Sequence, residues 1–231
     1  MEKVHRHFEE QLDLLREKIL TMGGLVEEAI GKCLRALVDR DSGLAREVVA
    51  EDAEIDRLEL EIDQIAVETL ALHQPMARDL RLITTAMKIS TDLERIGDLA
   101  VNVSERALEL NEEPQLKPYI DIPLMARQAQ EMAHLALDAF VRRDAAAARS
   151  VIGMDDLLDD RMEQIFRELL SYMIEDPRTI TRALRLTFVA KYFERMGDQA
   201  TNIGEQVVFM AEGRVIKHPA VAPSEGSSGP G

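Results

Sequence analysis

The stretch Glu94-Arg95-Ile96-Gly97-Asp98-Leu99-Ala100-Val101-Asn102 recurs one hundred positions later as Glu194-Arg195-Met196-Gly197-Asp198-Gln199-Ala200-Thr201-Asn202. Each copy carries a further glutamate three residues on, at Glu105 and Glu205. Apolar positions drift between the copies, as Ile96 to Met196, whereas the carboxylates, the asparagine and the glycine are kept in both. A duplicated chain needs only its core pattern to stay folded, so a polar constellation kept twice points to chemistry. Clustered Asp and Glu oxygens without His or Cys are ligands for hard cations such as Mg, Ca, Mn or Fe.

The elements that carry these residues read as long helices. Phe8, Leu12, Leu15, Ile19, Met22, Val26, Ala29, Cys33 and Ala36 alternate spacings of four and three, which predicts a first helix ended by Asp41-Ser42-Gly43. Val48, Ile55, Leu58, Ile62, Ile65 and Leu72 mark a second helix, ended before Pro75. Ala86, Ile89, Leu93, Ile96, Ala100, Val103, Ala107 and Leu110 mark a third, and the three prolines between Asn111 and Pro123 mark a linker. The plan then repeats. Ala36 to Asp41 align with Ala139 to Asp144 at an offset of 103, as do Asp52 with Asp155 and Asp56 with Asp159; by the third helix the offset is 100. The predicted fold is all-α: two tandem, pseudo-symmetric antiparallel three-helix bundles over residues 1–113 and 114–213, with a disordered tail at 214–231.

At about 100° per residue, Glu94, Asp98 and Glu105 fall within about 40° of one another and nearly opposite the apolar stripe of their helix, on an accessible face with Asn102 beside them. If the second helix turns back near residue 76, Asp56 and Asp52 come level with Glu94 and Asp98. A turn near 176 likewise brings Asp159 and Asp155 level with Glu194 and Asp198. Helices packed about 8–10 Å apart leave a gap that facing carboxylates can bridge through a cation. The candidate metal ligands are therefore Glu94, Asp98, Asp52 and Asp56 in one half and Glu194, Asp198, Asp155 and Asp159 in the other.

Plainer readings stand beside this one. Surface acids at i, i+4 are common on soluble helices, and Arg95 or Arg195 could balance them. No Glu-x-x-His pair accompanies the acids, which argues against a ferritin-like di-iron centre, and His5, His7, His73, His134 and His218 lack zinc-ligand spacing. Gly97 and Gly197 cost about 1 kcal/mol each inside a helix, so each implies a close approach, of a neighbouring backbone or of a ligand. Arg178, Arg182 and Arg185, with Arg78 and Arg81, gather at the bundle tips, either as anion or partner contacts or as solvated helix ends. His73 reads as a turn residue that caps or packs, and Cys33 as core.

Composition narrows the function further. Of 231 residues, 46% are hydrophobic, 4% aromatic and none is Trp, a mixture that favours helix over sheet. A net charge of −15 argues against wholesale nucleic-acid binding. A single cysteine forms no internal disulfide and suits a reducing cytoplasm. No apolar run reaches the roughly 20 residues that a membrane span requires. There is no nucleophile–base pair and no phosphate-cradling glycine loop, so catalysis is not indicated.

Three strings, Leu72-His73-Gln74-Pro75-Met76-Ala77-Arg78-Asp79-Leu80-Arg81, Asp92-Leu93-Glu94-Arg95-Ile96-Gly97-Asp98, and Glu194 to Glu205, resemble the PhoU family in order and in setting. The resemblance spans roughly residues 5–212, although Tyr172-Met173-Ile174-Glu175-Asp176-Pro177 replaces the His-Gln-Pro string in the second half. It implies metal ions (Fe, Mn, Mg or Zn) at Glu94 and Asp98 and at Glu194 and Asp198. It also implies a cytoplasmic, often dimeric regulator that acts with the ATPase subunit of the phosphate-specific ABC transporter and with a sensor histidine kinase to restrain phosphate uptake and the starvation response. Competing readings are a carboxylate-bridged metalloenzyme, a metal-free helical scaffold, and a regulator of a related, non-phosphate transporter.

Overall fold

The structure, a computed structural model, describes residues 2–216, and all of its regular elements there are helical. They are α1 (Glu2–Val38), α2 (Ser42–His73), α3 (Ala77–Asn111), α4 (Asp121–Arg142), α5 (Ala145–Ile152), α6 (Asp155–Glu175) and α7 (Ile180–Glu212), with a 3-10 turn at Pro177–Thr179 before α7. The tail expected from residue 214 lies outside the described residues from 217 onward. Of its first residues, Ile216 packs against the core.

The duplication extends to the backbone at the first turn of each half. Arg40 and Arg143 both adopt the left-handed conformation, with φ of 57° and 54°, and each is followed by an aspartate that caps the next helix. The Asp41 carboxylate accepts from the N–H groups of Gly43 and Leu44 at 2.9 and 3.0 Å, and Asp144 accepts from Ala146 and Ala147 at 3.0 Å each. At the second turn, Gln74 and Asp176 each precede a proline, which excludes helix at those positions.

The second half differs from the expected three helices. Its middle helix is broken at Gly153-Met154, which divides it into α5 and α6. The carbonyl of Met154 is taken by the Gln128 side chain, which donates from α4 at 2.9 Å. The repeat offset passes through the break unchanged, so the apolar stripe alone could not reveal it.

α3 and α7 are the central helices: α3 packs on α1, α2 and α7, while α7 packs on α3, α4, α5 and α6. α1 also packs on α4, so the bundles share one apolar core. The linker is tied down from both sides. Arg40 donates to the carbonyls of Asn111 and Glu113 at 2.7 and 2.6 Å, and the buried ammonium of Lys117 pairs with Glu168.

At the α1–α4 crossing, a Cβ on Gly23 would come within 2.3 Å of Leu137 Cδ1, whereas one on its neighbour Gly24 would meet nothing within 4 Å. Gly23→Val therefore overpacks the crossing and should cost about 1–3 kcal/mol, while Gly24→Ala should gain about 0.5–1 kcal/mol from helix propensity. Urea midpoints of the two variants should move in opposite directions. Shifts of the same sign would rule out Gly23 as the point of closest approach.

Candidate metal centre

Each carboxylate cluster is built on a helix pair closed at a glycine. Gly97 on α3 faces α2, where a Cβ would sit 3.0 Å from Asp52 Oδ1 and 3.1 Å from Ile55 Cδ1. Gly197 on α7 faces α6, where a Cβ would sit 2.3 Å from Leu158 Cδ1 and 3.4 Å from Asp155 Oδ1. The close approach expected at each glycine is that of side chains on the neighbouring helix. The missing side chain lets Ile55 or Leu158 pack against the helix, and it admits the aspartate one turn earlier. The contacts also match the level at which Asp52 and Asp155 are expected.

The electrostatics link the expected acids into two groups. Burial pushes the Asp52 carboxyl up to about 6, helped by the charges of Asp56 and Asp98. Burial pushes Glu94 up to about 7, with Asp98, Glu59, Asp56 and Asp52 adding to the effect. In the second half, burial raises Asp155 to about 6, with Asp198, Asp159, Glu194 and Asp156 contributing. Asp198 is raised by burial and then by Glu194, against the opposing charges of Lys191 and Arg195. All eight candidate ligands thus enter one mutual field or the other.

Two features depart from the expected open face. Glu94 is half-buried and Glu194 only 8% exposed, because α3 and α7 have neighbours on several sides, not only along the stripe. Glu105 and Glu205 stand apart from both clusters: Glu105 lies 3.7 Å from Arg106, while Glu205 lines a separate cleft with Lys88 and Phe209. Among the described residues, no three His, Cys, Asp or Glu side chains stand close enough together to form a ready-made cage. The donor chemistry nevertheless suits a hard cation, since repelling carboxylates surround buried oxygens that have no hydrogen-bond partner, Asp155 Oδ1 and Glu194 Oε2.

Three participants escaped the sequence reading. Glu59 joins the first cluster and accepts from Thr91 Oγ1 at 2.9 Å; its spacing of three from Asp56 was visible, but Met162 replaces it in the repeat. Asp156 joins the second, where the first half has Ala53. Lys191 pairs with Glu194 at 2.5 Å, where the first half has Thr91. A search for what both halves keep passes over all three.

The five tip arginines do not form one group. Arg178 pairs with Asp176 at 2.9 Å. Arg182 donates to the Pro114 carbonyl at 2.9 Å, and Arg185 pairs with Glu109 at 2.6 Å and with Glu113, so both clasp the linker. Arg81 donates to the Met210 carbonyl. Arg78 lines a cleft with Arg16 and Arg143. The remaining side readings hold: Cys33 is buried in the core, and His73 packs against Phe8 with ring centroids 5.2 Å apart.

The raised carboxyls set a pH dependence. Between roughly pH 4 and 7 the folded, metal-free protein keeps protons on Asp52, Glu94 and Asp155 that the unfolded chain has already released. Stability therefore falls as pH rises through that window and levels off above it. In EDTA, the melting temperature should rise as pH is lowered from 7.5 to 5, and Asp52→Asn combined with Asp155→Asn should flatten the rise. A wild-type melting temperature that drops over the same interval would contradict the raised carboxyls.

Comparison with known proteins agrees with this architecture. A family model described as "PhoU domain" matches residues 19–107 and again 122–207. The "Phosphate-specific transport system accessory protein PhoU homolog" of Aquifex aeolicus is 43% identical over 90% of this chain and 94% of that protein. The protein of the same name from Pseudomonas aeruginosa is 42% identical over 93% and 89%. The crystal structure of PhoU from Pseudomonas aeruginosa superposes with a TM-score of 0.87, at 43% identity, over 90% of this chain and all of that one. That of the phosphate transport system regulatory protein PhoU from Streptococcus pneumoniae gives 0.86 at 27% identity, over 91% of this chain and all of that one. With both repeats matched and the fold shared along nearly its whole length, this chain belongs to the PhoU family.

Proposed function

We propose that this chain is an accessory protein of phosphate transport: a non-enzymatic regulator that couples the ATPase subunit of the phosphate-specific ABC transporter to a sensor histidine kinase and restrains phosphate uptake. The observation that carries this reading is the match of both repeats to a family whose curated relatives are named for that transport system. Among the described residues no helix is long and apolar enough to cross a membrane, so contact with the transporter would be made through helix surfaces. Apolar side chains exposed on α6 and α7, among them Phe166, Leu170, Leu184 and Phe188, supply surface for protein contacts. A homodimer and a cytoplasmic location belong to the same proposal.

The metal part of the proposal rests on the two clusters. Asp52, Asp56, Glu94 and Asp98 would hold one hard cation site, and Asp155, Asp159, Glu194 and Asp198 the other. When bound, a cation supplies fixed positive charge. The residues themselves bridge α2 to α3 and α6 to α7, so neutralising them would brace each helix pair.

Two measurements test the proposal. Purified protein reconstituted with Mn or Fe should carry metal in stoichiometric amount, lost in Asp98→Ala combined with Asp198→Ala; metal-free wild type after reconstitution would sink the metal sites. Pulldown should recover the transporter ATPase and the kinase, and failure to retain either would sink the adaptor reading. Turnover of phosphate esters that depends on the same acids would make the protein an enzyme instead.

A further inference from the structure

Position by position at the offset of 103, the two halves differ most in a groove of the second. In the first half the seam between α1 and α2 is sealed by ion pairs. Lys32 meets Glu28, Glu47 and Glu51 at 2.7–2.9 Å, and Lys18 meets Glu61 at 2.8 Å. In the second half, Leu135, Ser150 and Met154 stand where Lys32, Glu47 and Glu51 stood, and Asp121 and Gln164 where Lys18 and Glu61 stood. With these seals gone, and with the middle helix broken at Gly153-Met154, a cleft of about 470 Å³ opens between α4 and α6.

The lining of the cleft has changed as well. Leu124 replaces Thr21 and Leu157 replaces Glu54, which leaves two apolar side chains 36% and 50% exposed. Arg127 replaces Gly24. Arg161 stands where the first half has Leu58, a fully buried core residue. A guanidinium at a core-facing position normally finds a carboxylate. Arg161 Nε is instead buried without a hydrogen-bond partner, and neither arginine makes an ion pair among the described residues. Glu131 also lines the cleft, which leaves one positive charge in excess. Leu157 and Arg161 each lie two residues beyond a cluster acid, Asp155 and Asp159, hence about 200° round the helix from it.

We propose that this groove binds a small amphipathic anion, its carboxylate or phosphate head held by Arg127 and Arg161 and its apolar body laid against Leu124, Met154 and Leu157. The volume lies in the range of small-molecule sites, paired guanidinium groups match an oxyanion head, and the apolar walls require a body that inorganic phosphate lacks. The ligand would satisfy the orphaned Nε and cover the exposed parts of Leu124 and Leu157. This inference stands apart from the metal reading.

The test uses the full chain and 1-naphthyl phosphate, with binding followed by fluorescence anisotropy and repeated in EDTA. Wild type should bind saturably, equally with and without EDTA, and more tightly than it binds inorganic phosphate or 1-naphthol measured by competition. Arg161→Leu restores the residue of the first half, so it should fold with an unreduced melting temperature yet bind ~10-fold or more weakly, the loss expected for one charge-assisted hydrogen bond; Arg127→Gly should weaken binding in the same direction. No saturable binding by wild type, equal binding by Arg161→Leu, equal affinity for inorganic phosphate, or binding abolished by EDTA would each overturn the proposal.

Discussion

Carboxylates on facing helices stay within one another's electrostatic field only if something stronger than their repulsion holds those helices together. Here the restraint is apolar. Ile55 and Leu158 close against Gly97 and Gly197, and burial of such side chains stabilises by roughly 1.5–3 kcal/mol each. The glycine sets the distance, because a Cβ at position 97 would press on both Ile55 and Asp52, and one at position 197 would collide with Leu158. The acidic clusters are thus a consequence of core packing at two equivalent points, and their carboxyls are raised first by the burial that this packing imposes and then by one another's charge.

The same constraint explains why the two bundles do not hang as separate beads. α3 and α7 carry the glycines, and they also pack on each other at the centre of the molecule. Each therefore has one side committed to its own bundle's seam and another to the other half. Arg40, Arg182 and Arg185 bind the linker from both sides, so displacement of one half would disturb ion pairs belonging to the other. A partner docked on one repeat would act on a continuous body, as the proposed adaptor role requires.

The fold was legible because the stripes are long, regular and duplicated, and because Asp41 and Pro75 mark turns by familiar local chemistry. The acid groupings were legible from helical levels alone. What escaped had two physical causes. Treating α3 as a helix with one buried stripe placed Glu94 and Glu194 in solvent, whereas a central helix is covered on several sides. Searching for what both halves share hid what only one half has: Glu59, Asp156, Lys191 and the break at Gly153-Met154. A single glycine in a helical pattern is weak evidence for a break, and the carbonyl freed there is satisfied by Gln128, a residue 26 positions upstream in the sequence.

Those unshared residues also decide how far the halves remain equivalent. The first cluster adds a fifth acid, Glu59, anchored by Thr91, and burial followed by four acidic charges leads the rise at Glu94. The second adds Asp156 but also Lys191, at the position of Thr91, whose ammonium pairs with Glu194 and opposes the rise at Asp198. One ammonium inside such a group offsets part of the field that a hard cation would otherwise neutralise. The two repeated clusters thus differ in electrostatic balance, the second carrying an ammonium at the position of Thr91. The second half, with its charge partly balanced and its outer seam unsealed, is where the duplicated plan has been free to acquire something new.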